Sequence, residues 1–303
     1  MMGRSDSFRY RQSQLYGWPF YIARKTLRRG GRWMLRAADA LSQREKYPFP
    51  IFRPLLPANA RLKGLHAGRR CFILGNGPSL KTQDVTPLSG ELTFAMNGFL
   101  HHPRIEQCQP TYYCLTDPIY FDGSAASSDF LDRLLRVVPS SHLIVPYSAA
   151  QTLALRGIEP DRVTFVTYSG DLASTRLPWI DLTRTIPAVQ NCAQLAILVA
   201  LYAGCSPIYL LGMDHDWLAH RGTDGHFYSG KTLENHPAVH GELARYSYRA
   251  ILEDVLKVWQ GYEILDTYSR ARGQQIINCT NGGFLDVFER GALKDVLALR
   301  RAA

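Results

Sequence analysis

From Arg70 onward the chain alternates short, nearly unbroken apolar runs with helical stretches, and this alternation limits its possible folds more than any other feature. The runs are "RCFILG" (70–75), "ELTFAMN" (91–97), "PTYYCLTD" (110–117), "HLIVPY" (142–147), "VTFVTYS" (163–169) and "PIYLLGMD" (207–214). Helices are expected near 125–137, 149–156 and 189–203. A strand buried on one face alternates apolar with polar, so continuous apolar strands imply cover on both faces. The pattern therefore predicts an α/β fold with a mostly parallel sheet, helices on both sides, and ligands at the strands' carboxyl ends. A polar loop (215–240), a helix (241–259), "YEILDTY" (262–268) and "IINCT" (276–280) follow.

The 303 residues suffice for a large core, and the charge is uneven. Residues 1–70 hold 16 Lys and Arg against 3 Asp and Glu; the remainder holds 19 against 23. A uniformly basic fold would suggest nucleic acid, whereas a basic arm on a mildly acidic body suggests an anionic surface such as a membrane, and no nucleic-acid partner is expected. Within that arm, Phe20, Ala23, Leu27, Met34, Ala38 and Leu41 fall near one helical face, with Arg24, Arg28, Arg29, Arg32 and Arg36 largely elsewhere. Gly30 and Gly31 favour a break. Four prolines in "PFPIFRPLLPAN" (48–59) mark a linker. The expected division is an arm and linker over 1–60 and a catalytic-type domain over 61–303.

No seven-residue apolar run follows the first basic residues, so a cytoplasmic location without a cleavable signal is expected, peripheral on the inner leaflet of the membrane. "CAQLAILVALYAGC" (192–205) is too short to span a bilayer and reads as a buried helix. The six cysteines form no C-x-x-C pair and sit mostly in apolar elements, which predicts reduced thiols and no zinc.

In "GNGPSL" (75–80) a strand opens into a loop where Gly75 and Gly77 would let a phosphate approach backbone N–H groups. A dinucleotide fingerprint needs glycine where Leu80 stands and an acid where Asn97 stands, so NAD is disfavoured. "GNGPSLKT" also misses the P-loop, with Leu80 for glycine and Pro78 lacking an N–H. A plain glycine turn is the competing reading. Asn97 and Asp117 end strands and could read a base or sugar, or cap turns. Asp214, His215 and Asp216 leave a central strand; Asp214 and Asp216 could hold a divalent metal, although one loop offers too few oxygens. The loop after them gathers His220, Arg221, His226, Tyr228, Lys231, His236 and His240, a set able to supply a base and to steady a leaving phosphate. A solvated surface loop is the alternative.

"CFILGNGPSL" with "FAMNGF", "LLGMDHDW", "HFY" and "IINCTNGGFLDVFER" resembles the 6-hydroxymethylpterin diphosphokinase MptE-like group (domain of unknown function 115) over residues 63–290. That group is related to motility-accessory-factor flagellin glycosyltransferases and, more distantly, to family 42 sialyltransferases. The resemblance implies a Rossmann-like sheet. It implies that Gly75, Asn76, Gly77 and Ser79 bind the nucleotide, that Asn97 lies beside its base or sugar, and that Gln190 and Asn191 face the donor. Asp214 matches the strand-end acid. His240 resembles the sialyltransferase base, and His236 resembles a histidine near a proline in the wider group. The chain departs from the sialyltransferases at Asp216, where they carry a phosphate-steadying tyrosine; Tyr228 with Arg221 would have to replace it, or a metal would hold a diphosphate donor.

The expected function is transfer of a sugar, of the nonulosonic or sialic-acid-like kind among others, from a CMP-activated donor to a glycan or lipid-linked acceptor, without a cofactor. The alternatives are an ATP-dependent pterin diphosphokinase, with Asp117, Asp214 and Asp216 as its carboxylates, and a nucleotide-binding scaffold.

Overall fold

The computed structural model describes residues 55–175, 180–216, 218–219, 226–228 and 247–298. The basic arm lies outside them. Strands β1 (Cys71–Leu74), β2 (Thr93–Met96), β3 (Tyr112–Cys114), β4 (His142–Pro146) and β5 (Val163–Val166) form one half of a sheet. β6 (Tyr168–Asp171) and β7 (Ile186–Ala188) pair only with each other, and then β8 (Ile208–Leu211), β9 (Ile276–Asn278) and β10 (Glu289–Arg290) complete the large sheet. Its order is β10-β9-β8-β1-β2-β3-β4-β5, and every pair is parallel. The α/β, mostly parallel architecture expected from the apolar runs is the one observed. β1, β2, β5 and β8 are buried at every position, as strands covered on both faces must be.

The chain builds outward from β1 in two directions: β2 to β5 on one side, β8 to β10 on the other. Leu74 is thus in register with Ala95 of β2 and with Leu211 of β8. The crevice beyond the carboxyl ends of β1 and β8 is the topological switch point, where such sheets take ligands.

A single helical turn, α1 (Ile105–Cys108), and α2 (Ala125–Val137) and α3 (Ala150–Ala154) connect the first half. α2 begins at Ser124, whose hydroxyl accepts from the Ser127 N–H at 3.1 Å, and it buries Ser127, Phe130, Leu131 and Leu134, one face at helical spacing. α4 (Cys192–Tyr202) is buried along its whole length and packs on β1, β2, β3 and on α5 (Tyr248–Arg270). Its buried Gln194 is satisfied: Nε2 donates to the Val258 carbonyl at 2.8 Å, and Oε1 accepts from the Gln190 N–H at 2.8 Å. The missing side chain of Gly261 makes room for that amide. A short helix, α6 (Leu293–Ala298), closes the described chain.

Two boundaries differ from expectation. The helix expected to stop at 259 runs to Arg270, so "YEILDTY" is helical: Val258, Gly261, Tyr262, Leu265, Tyr268 and Ser269 recur at helical spacing and are its buried face. "VTFVTYS" splits at Thr167, its first part joining the large sheet and its second the small one. All six cysteines are free and buried. Among the described residues no helix is long and apolar enough to cross a membrane.

Candidate functional site

The glycine loop leaves β1 zipped to the exit of β8. The N–H groups of Gly75 and Gly77 donate to the carbonyls of Leu211 (2.8 Å) and Gly212 (2.9 Å). Ser79 continues the series, its N–H donating to Asp214 Oδ1 at 3.0 Å and its hydroxyl to Oδ2 at 2.7 Å. Three of the N–H groups expected to face a phosphate are thus hydrogen-bonded within the chain. The glycines serve close packing instead. A Cβ on Gly75 would strike the Gly212 carbonyl, and one on Gly77 would strike the Asp214 carboxylate.

Asp214 sits where the sequence places it, at the exit of the strand preceding it, and is 6% exposed. Burial pushes its carboxyl pKa up, the two Ser79 hydrogen bonds oppose this, and the neighbouring Asp216 adds to the rise. From the far side the 281–283 turn closes on it: the Phe284 N–H donates to the Asp214 carbonyl at 2.7 Å, and Gly283, at φ 75°, packs on the Asp214 backbone. Arg290 fixes that turn through the carbonyls of Thr280 (3.1 Å), Gly282 and Gly283 (2.9 Å). Asp214 and Asp216 alone offer fewer oxygens than a hard divalent cation needs. Among the described residues no group of three or more His, Cys, Asp and Glu could hold a metal.

On the β2 side, Asn97 adopts φ 47°, a left-handed conformation that asparagine tolerates better than most residues. Tyr113 fixes this turn, donating to the Asn97 carbonyl at 2.6 Å and accepting from the Leu100 N–H at 2.7 Å. Asn76 Nδ2 donates to the Met96 carbonyl at 3.1 Å. The side-chain oxygens of both Asn76 and Asn97 are buried with no hydrogen-bond partner. Residues 226–228 dock on the same end of the sheet. The Phe227 N–H donates to the Asn76 carbonyl at 2.8 Å, and the Tyr228 ring lies against Gly98, where a Cβ would overlap it. His226 stacks on Tyr228 with ring centroids 4.9 Å apart.

On the opposite side of Asp214, Asn191 caps α4, its Oδ1 accepting from the Gln194 N–H at 2.9 Å. Its Nδ2 is 3.2 Å from the Tyr262 hydroxyl, which is in turn 2.8 Å from His215 Nε2. Gln190 Nε2 donates to Asp171 Oδ1 at 3.0 Å.

Gly75, Asn76, Gly77, Ser79, Asn97, Asp214 and Tyr228 are thus linked at the carboxyl ends of β1, β2 and β8, and Asn191 is linked to His215 through Tyr262. Asp117 does not join them through any bond described: exposed, it caps the turn Pro118–Phe121 by accepting from the Ile119 N–H at 3.0 Å. His236 and His240, with His220, Arg221 and Lys231, lie outside the described residues. Nothing in the sequence points to Tyr262 as the shared partner of Asn191 and His215. A separate cavity of about 420 Å³ among Gln83, Pro87, Thr280, Asn281, Leu293 and Lys294 shares none of the expected site residues.

Solved sialyltransferases run a similar course. The sialyltransferase CstII from Campylobacter jejuni with the substrate analogue cytidine-5'-monophosphate is 14% identical, covering 75% of this chain and 86% of that one, with a TM-score of 0.43. CST-II with a trisaccharide acceptor and CMP gives 14%, 74%, 86% and 0.43. CstII from Campylobacter jejuni with CMP-3FNeuAc gives 14%, 74%, 86% and 0.44. No family model matches the chain, and no curated protein does.

Proposed function

We propose that this chain is a metal-independent glycosyltransferase that takes a sugar from a CMP-activated donor and passes it to a glycan or lipid-linked acceptor. The observation that carries the reading is the pair of buried, unpartnered acceptor oxygens, Asn76 Oδ1 and Asn97 Oδ1, at the ends of adjacent strands beside the switch point. An unmet buried acceptor costs about 1–3 kcal/mol, so a ligand bringing hydroxyl or amino hydrogens, as a nucleoside does, relieves both. The choice of CMP, and of a nonulosonic or sialic-acid-like sugar, comes from the sequence resemblance.

With the Gly75, Gly77 and Ser79 N–H groups engaged, the donor's phosphate is met by Tyr228 and by Arg221 or Lys231 of the following loop. In this reading His240 removes the proton of the acceptor hydroxyl. That oxygen attacks the anomeric carbon, and the bond to the CMP oxygen breaks. Asp214, engaged by Ser79, holds the loop. The basic arm brings the enzyme to anionic membrane, and residues 1–50 are expected to bind anionic vesicles in a salt-sensitive way.

The test is CMP release from a CMP-sugar with a chelator present. His240→Ala is expected to lower turnover by roughly a hundredfold with donor affinity nearly unchanged. Loss in His236→Ala with retention in His240→Ala moves the base four residues upstream. No release by the wild type, together with Mg²⁺-dependent consumption of ATP, replaces the reading with diphosphate transfer.

A further inference from the structure

His215 stands out on backbone grounds. Its φ is 51°, and among the described residues only Asn97 and Gln109 share a positive φ without being glycine. A residue with a Cβ is held there only when its surroundings over-determine it, and such residues gather at functional sites. Here the surroundings are Trp259 and Tyr262, whose rings lie 5.8 and 5.3 Å from the imidazole, and the 2.8 Å hydrogen bond from Nε2 to the Tyr262 hydroxyl.

The direction of that hydrogen bond is assigned from the distances along the chain of contacts. Asn191 Oδ1 accepts from the Gln194 N–H as the cap of α4, and the same carboxamide meets the Tyr262 hydroxyl through Nδ2 at 3.2 Å and Oδ1 at 3.3 Å. Tyr262 is fully buried and has one proton to give. Of its two acceptors within reach, His215 Nε2 at 2.8 Å is closer than Asn191 Oδ1 at 3.3 Å, so the proton is assigned to Nε2 and the imidazole's own proton to Nδ1. Burial keeps the ring neutral, its pKa lowered to about 4.

We infer that His215 is a positioning residue: through Tyr262 it fixes the rotamer of Asn191, and with it the face that the start of α4 turns toward the donor. It is not the general base, because its Nε2 is occupied by Tyr262. The donor-facing part of this inference rests on the function proposed above; the hydrogen-bond chain does not. The strand exit would then serve both sides of the crevice, Asp214 tying down the glycine loop and His215 the start of α4.

The test joins spectroscopy with binding. In ¹⁵N-histidine-labelled full-length protein without ligand, His215 is expected to show an unprotonated Nε2 and a protonated Nδ1. The Asn191 carboxamide resonances should shift in His215→Asn, a replacement that tolerates positive φ. Tyr262→Phe keeps the volume and should shift them as well. In CMP titrations each variant is expected to lose about tenfold in affinity, and the double variant no more than either single one, since both cut one chain. A protonated Nε2, or Asn191 resonances unmoved in both variants, overturns the inference. So does wild-type affinity for CMP in both single variants. Should the wild type bind no CMP, the functional reading falls, while the ¹⁵N signals still decide the hydrogen-bond chain.

Discussion

Asp214 occupies the space that a side chain on Gly77 would need, and Ser79, two residues after that glycine, holds the carboxylate with both its N–H and its hydroxyl. The loop leaving β1 and the exit of β8 are therefore one packed unit, built around the Asp214 side chain. Gly77→Ala should destabilise the fold by about 1–3 kcal/mol, the usual cost of overpacking. Chemical denaturation measures it. Asp214→Ala opens the space, so the double variant should lose less than the two single losses combined. Additive losses would separate the two residues.

The same carboxylate sets a pH dependence. Its pKa in the folded protein is raised, with burial the largest cause. The folded state thus binds this proton more tightly than the unfolded chain does. The stabilisation from this group is present below the unfolded carboxylate pKa and is lost as pH rises through the folded value. Asp214→Asn keeps an acceptor for the Ser79 N–H but cannot ionise. The stability of the wild type relative to Asp214→Asn should therefore fall as pH climbs from about 4 toward neutrality. Urea denaturation across that range checks the sign, and an opposite slope would mean that the Ser79 hydrogen bonds outweigh burial.

Tyr228 packs against the end of β2 only because residue 98 is glycine. Gly98→Ala would push the ring from its place against the end of β2 and disturb its stacking on His226. Since Tyr228 is assigned to the leaving phosphate, this variant should lower turnover about tenfold or more with a smaller change in thermal stability. A fall in stability with turnover per folded molecule preserved would make Tyr228 a packing residue only.

Most of the sheet was legible because β1 to β5 and β8 are nearly continuous apolar runs between polar or glycine breaks, whereas β10, the exposed pair Glu289–Arg290, carries no such signal. "YEILDTY" misled because it is rich in aromatic and β-branched residues. Its helical character appears only when Val258 and Gly261 are counted with Tyr262 and Leu265. At the site, Asn97 was legible as a polar residue at a strand end, while Asn76 came only from the resemblance. The role of the glycines was not, since a loop opened for a phosphate and one packed on a carboxylate have the same sequence. The bonds joining His215 and Asn191 to Tyr262 span 47 and 71 residues, and nothing local announces them.

The central claim is that the crevice flanked by Asn76 and Asn97 binds a cytidine nucleotide without metal. Isothermal titration of the full-length protein with CMP, in the presence of a chelator, tests it most directly. The account predicts saturable one-to-one binding, weakened about tenfold in Asn97→Ala, the equivalent of about 1.4 kcal/mol for one buried hydrogen bond. No binding of CMP by the wild type, with ATP binding only when Mg²⁺ is added, would contradict it.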